Sequence, residues 1–148
     1  MLNGRYNGTY LLCEKLKIDK NRVNVGDDGF LIELDGKPNA DDITFTTNHL
    51  DNIPFQIKDP DVEVGDENYT YIRDFVVQAE NALYADNFKD PNEGWQKYMD
   101  LDSFVEYYVI EEIAKDVDGN LRLSTYMNLK RGGKLKMGPL WDFDITFG

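Results

Sequence analysis

Short apolar runs separated by turn residues fill the first third of the chain. Each run is rich in β-branched or aromatic residues, a composition typical of strands. A GDDG tetrad at 26–29 predicts a hairpin turn, because glycine and aspartate tolerate turn backbone angles. The following stretch, 53–67, predicts at most an edge strand, since Pro54 and Pro60 cannot lie in a central ladder. The first four predicted strands are residues 9–18, 22–25, 30–34 and 43–47.

Helical periodicity replaces this pattern from Asp66 onward. Apolar residues recur at spacings of three and four, which predicts an amphipathic helix that begins at an Asp66 N-cap and ends near Asp86. A second helix is predicted to begin at Ser103, because Ser103 and Glu106 have the spacing of a capping box, and to end near Asp116. The apolar stripe of the first helix is Tyr69, Ile72, Val76, Ala79 and Leu83.

A loop and a hairpin follow the second helix. The loop is DVDGN, and the segments 122–130 and 134–138 predict two strands joined at an RGG turn. The pattern therefore predicts one α+β unit, β-rich over about 1–65 and built from helices and a hairpin over about 66–148. Since neither terminal segment resembles a domain edge, we expect a fragment truncated at both ends, with exposed apolar surface that promotes self-association.

Composition supports a folded chain and excludes several classes of protein. Of the 148 residues, 41% are hydrophobic and 13% aromatic, which is too much for a disordered segment. A net charge of −12 argues against nucleic-acid partners, and the one basic cluster, 130–136, fits a polar hairpin turn better than an anion site. No run approaches the roughly 18 apolar residues of a membrane span, and no signal peptide is visible.

The cysteine and histidine content gives little indication of function. One cysteine excludes an internal disulfide, and one cysteine with one histidine argues against a zinc site. Cys13 lies in the apolar run TYLLC, so we expect it to be a buried small hydrophobic residue.

Two acidic residues lie inside the apolar run GPLWDFDITFG at the end of the sequence. Asp142 and Asp144 would cost several kcal/mol each to desolvate unless they are paired, hydrogen-bonded or metal-bound. At a spacing of two they project to opposite faces of an extended segment, so only one of them would face a given site. We therefore expect a compensating partner for at least one of the two carboxylates.

The loop DVDGN is the second unusual acidic site. Its alternating oxygen ligands suggest a calcium loop, but the EF-hand pattern fails because Leu121 and Met127 occupy the required glycine and acidic positions. Alternatively, Asp116 and Asp118 simply end the helix and build the turn. A helix, a loop Asp, a hairpin and another Asp also follow one another in kinase-like phosphotransferases, where the two acids orient a hydroxyl and hold magnesium.

The resemblance to one family is specific and covers essentially the whole chain. The segments RYNGTYLLCEKL, LDSFVEYYVIEEIAKDVD and STYMNLKRGGKLKMGPLWDFDITFG resemble the CotH family, atypical kinases named for a spore-coat protein. The resemblance implies a protein-kinase-like fold, with part of an N-terminal sheet, helices and an active-site hairpin. It also implies ATP- and Mg²⁺- or Mn²⁺-dependent transfer of phosphate to Ser or Thr of a protein substrate.

The same resemblance implies roles for individual residues. Asp118 would be the catalytic Asp of the N-x-D element, and Asp142 the metal ligand, with Ser124 and, as the weaker choice, Asp144 as further ligands. The family commonly has Asn where this chain has Asp116, and an Asn ligand where it has Ser124, a weaker ligand for magnesium. The lysine that contacts the ATP phosphates is expected upstream of Met1.

These departures keep a second function open. A non-catalytic surface or coat-associated binding module would retain the fold without turnover, and the fragment itself is expected to be inactive. Family members often act at the cell surface or in coats, which leaves the compartment of this chain undetermined. Arg122 either contacts a phosphate or pairs with one of the many acidic residues.

Overall fold

The computed structural model describes residues 3–10, 12–50 and 52–147. It is an α+β structure with one five-stranded antiparallel sheet and two α-helices. The sheet order is β2-β3-β1-β4-β5, so the first strand in sequence is the central one. In chain order the elements are β1 (Phe30–Leu34), β2 (Thr44–Phe45), β3 (Phe55–Asp59), α1 (Glu67–Tyr84), a 3₁₀ turn (Trp95–Lys97), α2 (Leu101–Ala114), β4 (Thr125–Leu129) and β5 (Leu135–Met137).

Strand β1 is buried on both faces and organises the core. All five of its residues are buried, and they pair with β3 on one side and β4 on the other. One face of the strand joins the main cluster with Ile72 and Val76 of α1. The opposite face contributes Leu31 to a smaller cluster with Val23, Val25 and Tyr126. Full burial of one such side chain stabilises the fold by about 1.5–3 kcal/mol.

The helix predicted from the periodicity is formed as α1, although its buried stripe shifts by one residue near the C-terminal end. Tyr69, Ile72, Val76 and Ala79 are buried as predicted. Leu83, however, is 42% exposed, and Ala82 is buried in its place. The helix begins after Asp66 as predicted, but the Asp66 carboxylate accepts the Glu63 amide instead of capping the helix.

Helix α2 begins earlier than the capping box predicted. Its N-cap is Asp100, whose carboxylate accepts the Ser103 amide at 3.1 Å. The Ser103 hydroxyl donates back to the Asp100 carbonyl at 2.8 Å and accepts the Met137 amide at 3.2 Å. The capping-box prediction was therefore wrong, because Ser103 is already inside the first turn and its hydroxyl joins the helix to β5.

Two predicted strands near the N-terminus are not formed. In the described part of 9–18, which leaves out Leu11, only Ile18 has a bridge partner, Val23, and Cys13 is exposed. An alternating pattern becomes a strand only beside a partner strand, so both the strand and the buried Cys13 were wrong. Residues 22–25 also form no strand, and instead bury Val23 and Val25 against the sheet.

The turn predicted at 26–29 is formed. The Gly29 amide donates to the Gly26 carbonyl at 3.2 Å, which forms the predicted turn, although no hairpin precedes β1. Strand β3 is not an edge strand, since it lies between β2 and β1. Pro54 and Pro60 lie just outside it, so neither removes a ladder donor.

The predicted C-terminal hairpin is confirmed as β4 and β5. Its polar turn is held on α1 by Arg131, whose guanidinium lies 4.1 Å from the Tyr71 ring centroid and contacts Asn68. Within the described ranges, neither helix combines the length and apolar character of a bilayer crossing.

Candidate functional site

The loop after α2 is a compact turn built by its own polar groups. Lys115 ends the helix in a left-handed conformation, with its amide donating to the Glu111 carbonyl at 2.8 Å. The Asp116 carboxylate then accepts the Asp118 amide at 3.1 Å, and the Asp118 carbonyl accepts the Leu123 amide at 3.1 Å. The prediction that acidic residues end the helix and form the turn is therefore confirmed for Asp116.

Asp118 lines a cavity between this loop and the turn after β1. The cavity has a volume of about 370 Å³, and two basic residues, Lys37 and Arg122, also line it. The Gly36 amide donates to the Arg122 carbonyl at 2.7 Å, which attaches the loop to the sheet. No salt bridge involves Lys37 or Arg122 in the described part of the chain. The half-buried Asp118 thus lies beside positive charge.

Ser124 and Asp142 meet across the hairpin, 18 residues apart in sequence. The Ser124 hydroxyl donates to the Asp142 carboxylate at 3.0 Å. Both residues have positive φ, 49° for Ser124 and 67° for Asp142. Such a conformation is uncommon for residues other than glycine and costs of order 1–3 kcal/mol each. Strained backbone of this kind is frequent where a side chain is held for a function.

Contacts along its length hold the segment after β5 in place. The Asn128 amide group donates to the Gly138 carbonyl at 2.9 Å, and Trp141 packs on the cluster around Leu31 and Tyr126. Near the end of the segment, the Phe147 amide donates to the Ala114 carbonyl at 2.7 Å. The segment therefore runs from the hairpin back to the end of α2, past Ser124.

Asp142 and Asp144 are both exposed, which corrects the expectation that their apolar neighbours exclude water. Trp141 directs its side chain to the core, while the positive φ of Asp142 turns the next side chain outward. The Asp144 side chain makes no hydrogen bond to other described residues. Gly148, the last residue of the motif, lies outside the described residues.

Comparison with known families decides the identity. The CotH kinase protein family matches residues 1–148, the whole chain. The chain belongs to the CotH family. No curated protein and no solved structure gave a significant match.

Three acidic side chains of this CotH chain, including Asp142, act on the Tyr126 hydroxyl. Burial raises the pKa of the Tyr126 hydroxyl, and the charges of Glu33, Asp35 and Asp142 raise it further. Of these acids, Glu33 is paired with Lys58 at 3.1 Å. An excess of carboxylates near one exposed Asp attracts cations.

The donor atoms at Ser124 and Asp142 fit a magnesium ion. Mg²⁺ prefers hard oxygen ligands and usually binds one or two carboxylates together with substrate phosphates and water. No group of three His, Cys, Asp or Glu side chains suited to a metal occurs among the described residues, so the chain supplies few of the ligands. That number suits Mg²⁺, which retains several waters, better than it suits Ca²⁺.

The predicted site residues of the CotH chain thus form two groups. Ser124 and Asp142 are in contact, whereas Asp118 lies in the neighbouring cavity and no hydrogen bond within the described ranges joins it to Asp142. Sequence reasoning missed Lys37, because a lysine in a turn after a strand carries no motif. It also missed the proximity of Glu111 to Asp116, five residues apart across a helix end.

Proposed function

We propose that this CotH chain carries the acceptor-orienting and metal-binding parts of an ATP- and Mg²⁺-dependent kinase that phosphorylates Ser or Thr of proteins, on a protein-kinase-like fold. The observation that carries the proposal is the Ser124–Asp142 contact at 3.0 Å between two residues of positive φ. Family membership supports the reaction class.

Asp142 and Ser124 would hold the metal, through one carboxylate and one hydroxyl oxygen. Mg²⁺ at this position, bound with ATP, supplies charge that neutralises the phosphate oxygens during transfer. The hydrogen bond from Ser124 fixes the direction of the Asp142 carboxylate before any ligand arrives. Asp144, which points elsewhere on the surface, contributes less.

Asp118 would orient the acceptor hydroxyl and accept its proton. Its backbone is fixed at both ends, by the Asp116 carboxylate and by the Leu123 amide, so the side chain projects from a rigid turn. Lys37 and Arg122 line the same cavity and provide positive charge for phosphate oxygens. This gives Arg122 the phosphate-contacting role that the sequence left open.

Substitution of the metal ligand tests the proposal in the full-length native protein. We expect Asp142→Asn to reduce transfer of radiolabelled phosphate from ATP to background, because the neutral amide loses the charge that binds the metal. Thermal melts should show retained folding, since Asn keeps an acceptor for the Ser124 hydroxyl. Asp144→Asn is the matched control and should retain most activity. Full activity in Asp142→Asn would remove the metal assignment.

A change at Ser124 gives an independent check. Ser124→Asn introduces a carbonyl oxygen, a better magnesium ligand than a hydroxyl, so we expect half-maximal activity at a lower Mg²⁺ concentration. Ser124→Ala should raise that concentration. An unchanged magnesium requirement in both variants would show that Ser124 is not a ligand.

The residues at positions 116 and 124 favour one rival function. Asp116 and Ser124 stand where the family commonly has Asn, and a binding module with a kinase-like fold would keep the fold without turnover. Absence of phosphate transfer by the intact wild type with either Mg²⁺ or Mn²⁺ would favour that module.

A further inference from the structure

A second cavity lies at the C-terminal end of α2, on the other side of the 115–121 loop from the Asp118 cavity. It has a volume of about 530 Å³ and is lined by three acidic side chains, Glu111, Glu112 and Asp116, and by Lys115. The proposed reaction does not use Glu111 or the Oδ2 oxygen of Asp116. Its apolar and aromatic walls are formed by Phe104, Tyr107, Tyr108, Val117, Leu121 and Met137.

The carboxyl groups of Glu111 and Asp116 leave buried oxygens without partners. Asp116 is only 9% exposed, and in the described part of the chain neither its Oδ2 nor Glu111 Oε2 has a hydrogen-bond partner. Two polar side chains of the cavity wall have other partners: the Tyr107 hydroxyl donates to the Gly119 carbonyl at 2.8 Å, and Lys115 pairs with Glu112 at 3.0 Å. A buried carboxylate oxygen without a partner is costly, so a donor is needed there.

Gly119 lets both of these oxygens lie against its backbone, because it has no side chain. A Cβ added at Gly119 would lie 2.7 Å from Asp116 Oδ2 and 2.8 Å from Glu111 Oε2. Both oxygens therefore converge on one small volume above the Gly119 backbone. That volume opens to the apolar cavity, since Gly119 itself lines it.

The walls and the charge together select the kind of ligand. Glu112, the third acidic side chain of the wall, is paired with Lys115 at 3.0 Å, and the other walls are mostly apolar, so a metal ion would find few further oxygen ligands. An arginine side chain fits better, because its methylene stem packs on apolar and aromatic surface. Its planar guanidinium has donors that can bridge two carboxylates.

We propose that this cavity binds an arginine side chain of the protein substrate, close in sequence to the phosphorylated residue. The proposal rests on the proposed kinase function for the identity of the polypeptide. The Asp116 carboxylate links the two sites, since its Oδ1 accepts the Asp118 amide while its Oδ2 belongs to the acidic pair. A guanidinium on that carboxylate would lie within a few residues of an acceptor hydroxyl at Asp118.

A binding measurement tests the site without phosphate transfer. The probe is a blocked peptide with one arginine beside an alanine in place of the acceptor serine, compared with the same peptide carrying glutamine for arginine. Isothermal titration calorimetry on the full-length protein should show binding of the arginine peptide alone. Glu111→Gln and Asp116→Asn should each weaken it about tenfold, the usual effect of losing a charged hydrogen-bond partner.

Two further variants separate charge from folding. Gly119→Ala keeps both carboxylates but fills the space between them, so it should weaken arginine binding as well. Glu106→Gln, an exposed change on the same helix, should leave binding unchanged. Equal binding of both peptides, or full binding by Glu111→Gln and Gly119→Ala, would overturn the proposal. Binding of Ca²⁺ or Mg²⁺ that Glu111→Gln abolishes, with no arginine binding, would also overturn it in favour of a metal site.

A kinetic arm shows whether the site serves the kinase reaction. With serine restored in the probe, the arginine peptide should have a lower KM than the glutamine peptide, and Glu111→Gln should remove the difference without changing kcat. Arginine binding without any phosphate transfer would support the site and count against the proposed reaction. Phosphate transfer without a preference for the arginine peptide would support the proposed reaction and count against the arginine site.

Discussion

Glu111 carries a charge that the folded chain disfavours. Burial raises the pKa of its carboxyl above the ordinary value of 4.5, and the charge of Asp116 raises it further. A raised pKa means that the folded state binds the proton more tightly than the unfolded state does. Stability therefore falls as the pH rises from about 4.5 through the pKa of the folded state, and the cost is fully present above it.

Glu111→Gln should remove this cost. We expect the variant to melt at a higher temperature than wild type at pH 7. The difference should shrink as the pH falls through the folded pKa of Glu111 and should be lost below about 4.5. The other charged and titratable groups around the site, namely Asp116, Tyr107, Tyr108, Glu112 and Lys115, are present in both proteins, so the pH dependence of the difference reports Glu111 and its coupling to them. Glu106→Gln controls for the loss of one exposed charge. A melting difference that does not depend on pH would contradict this account.

At the scale of single residues, the grouping of the site residues came from the family resemblance and not from a local pattern. The resemblance grouped Ser124 with Asp142, and the hairpin between them brings the two side chains into contact. The exposure of Asp142 could not be predicted, because it depends on a positive φ. The sequence of this segment carries no signal that the Trp141 side chain faces the core and the Asp142 side chain faces solvent.

Helix α2 shows how an element boundary depends on contacts beyond the motif. Asp100 serves as N-cap because its carboxylate accepts the Ser103 amide and also lies 3.6 Å from Lys136 of β5. The Ser103 amide hydrogen bond is the main cause that lowers the pKa of Asp100 below 3.8. The capping-box pattern at Ser103 and Glu106 was misleading, since local spacing cannot show that the helix begins one turn earlier.

Asp100→Ala should therefore destabilise the fold where a change at Glu106 does not. Loss of an N-cap side chain costs about 1 kcal/mol, measured here as a change in the free energy of unfolding in urea. Because the folded pKa of Asp100 is lowered, its contribution is present above pH 3.8 and is lost as the pH falls through the folded pKa. Glu106→Ala, which removes the side chain that a capping box at Ser103 would need, should be nearly neutral. An equal loss in both variants would support the capping box at Ser103 and Glu106.

The strand predicted at 9–18 failed for a similar reason. Its alternation is genuine, but the described residues in it, which leave out Leu11, find only the bridge from Ile18 to Val23. Leu16 and Ile18 pack on the cluster around Leu31, whereas Leu12 is 99% exposed and covers no apolar surface. The sequence pattern shows which face of a segment is apolar, but it does not show whether a partner strand is available to pair with it.

For the whole molecule, sequence predicted the class and the local pairing but not the sheet order. The β4–β5 hairpin was predictable because its strands are adjacent in sequence. The pairing of β1 with β4 joins Phe30 to Leu129, and no local signal carries such a long-range contact. That pairing is nevertheless what positions the loop of Asp118 beside the turn containing Lys37.

Helix α2 carries several large apolar side chains that are exposed. Ile113 is 68% exposed and Tyr108 is 64% exposed, which is unusual for large apolar residues in a row on one helix. Contiguous apolar surface of this kind promotes association. The other members of this surface are Leu101, Val105, Val109 and Ile110.

Self-association through this helix is therefore the prediction for the chain as a whole. Sedimentation velocity should show oligomers that increase with concentration and with salt, because salt screens the repulsion between chains of net charge −12. Val109→Lys combined with Ile113→Lys, one turn apart, should restore the monomer. These lysines lower the net negative charge, so dissociation could not be attributed to stronger repulsion. Leu12→Lys, at an exposed apolar position far along the chain, should still associate. A wild type that sediments as a monomer at every concentration and salt would show that this face does not join copies of the chain.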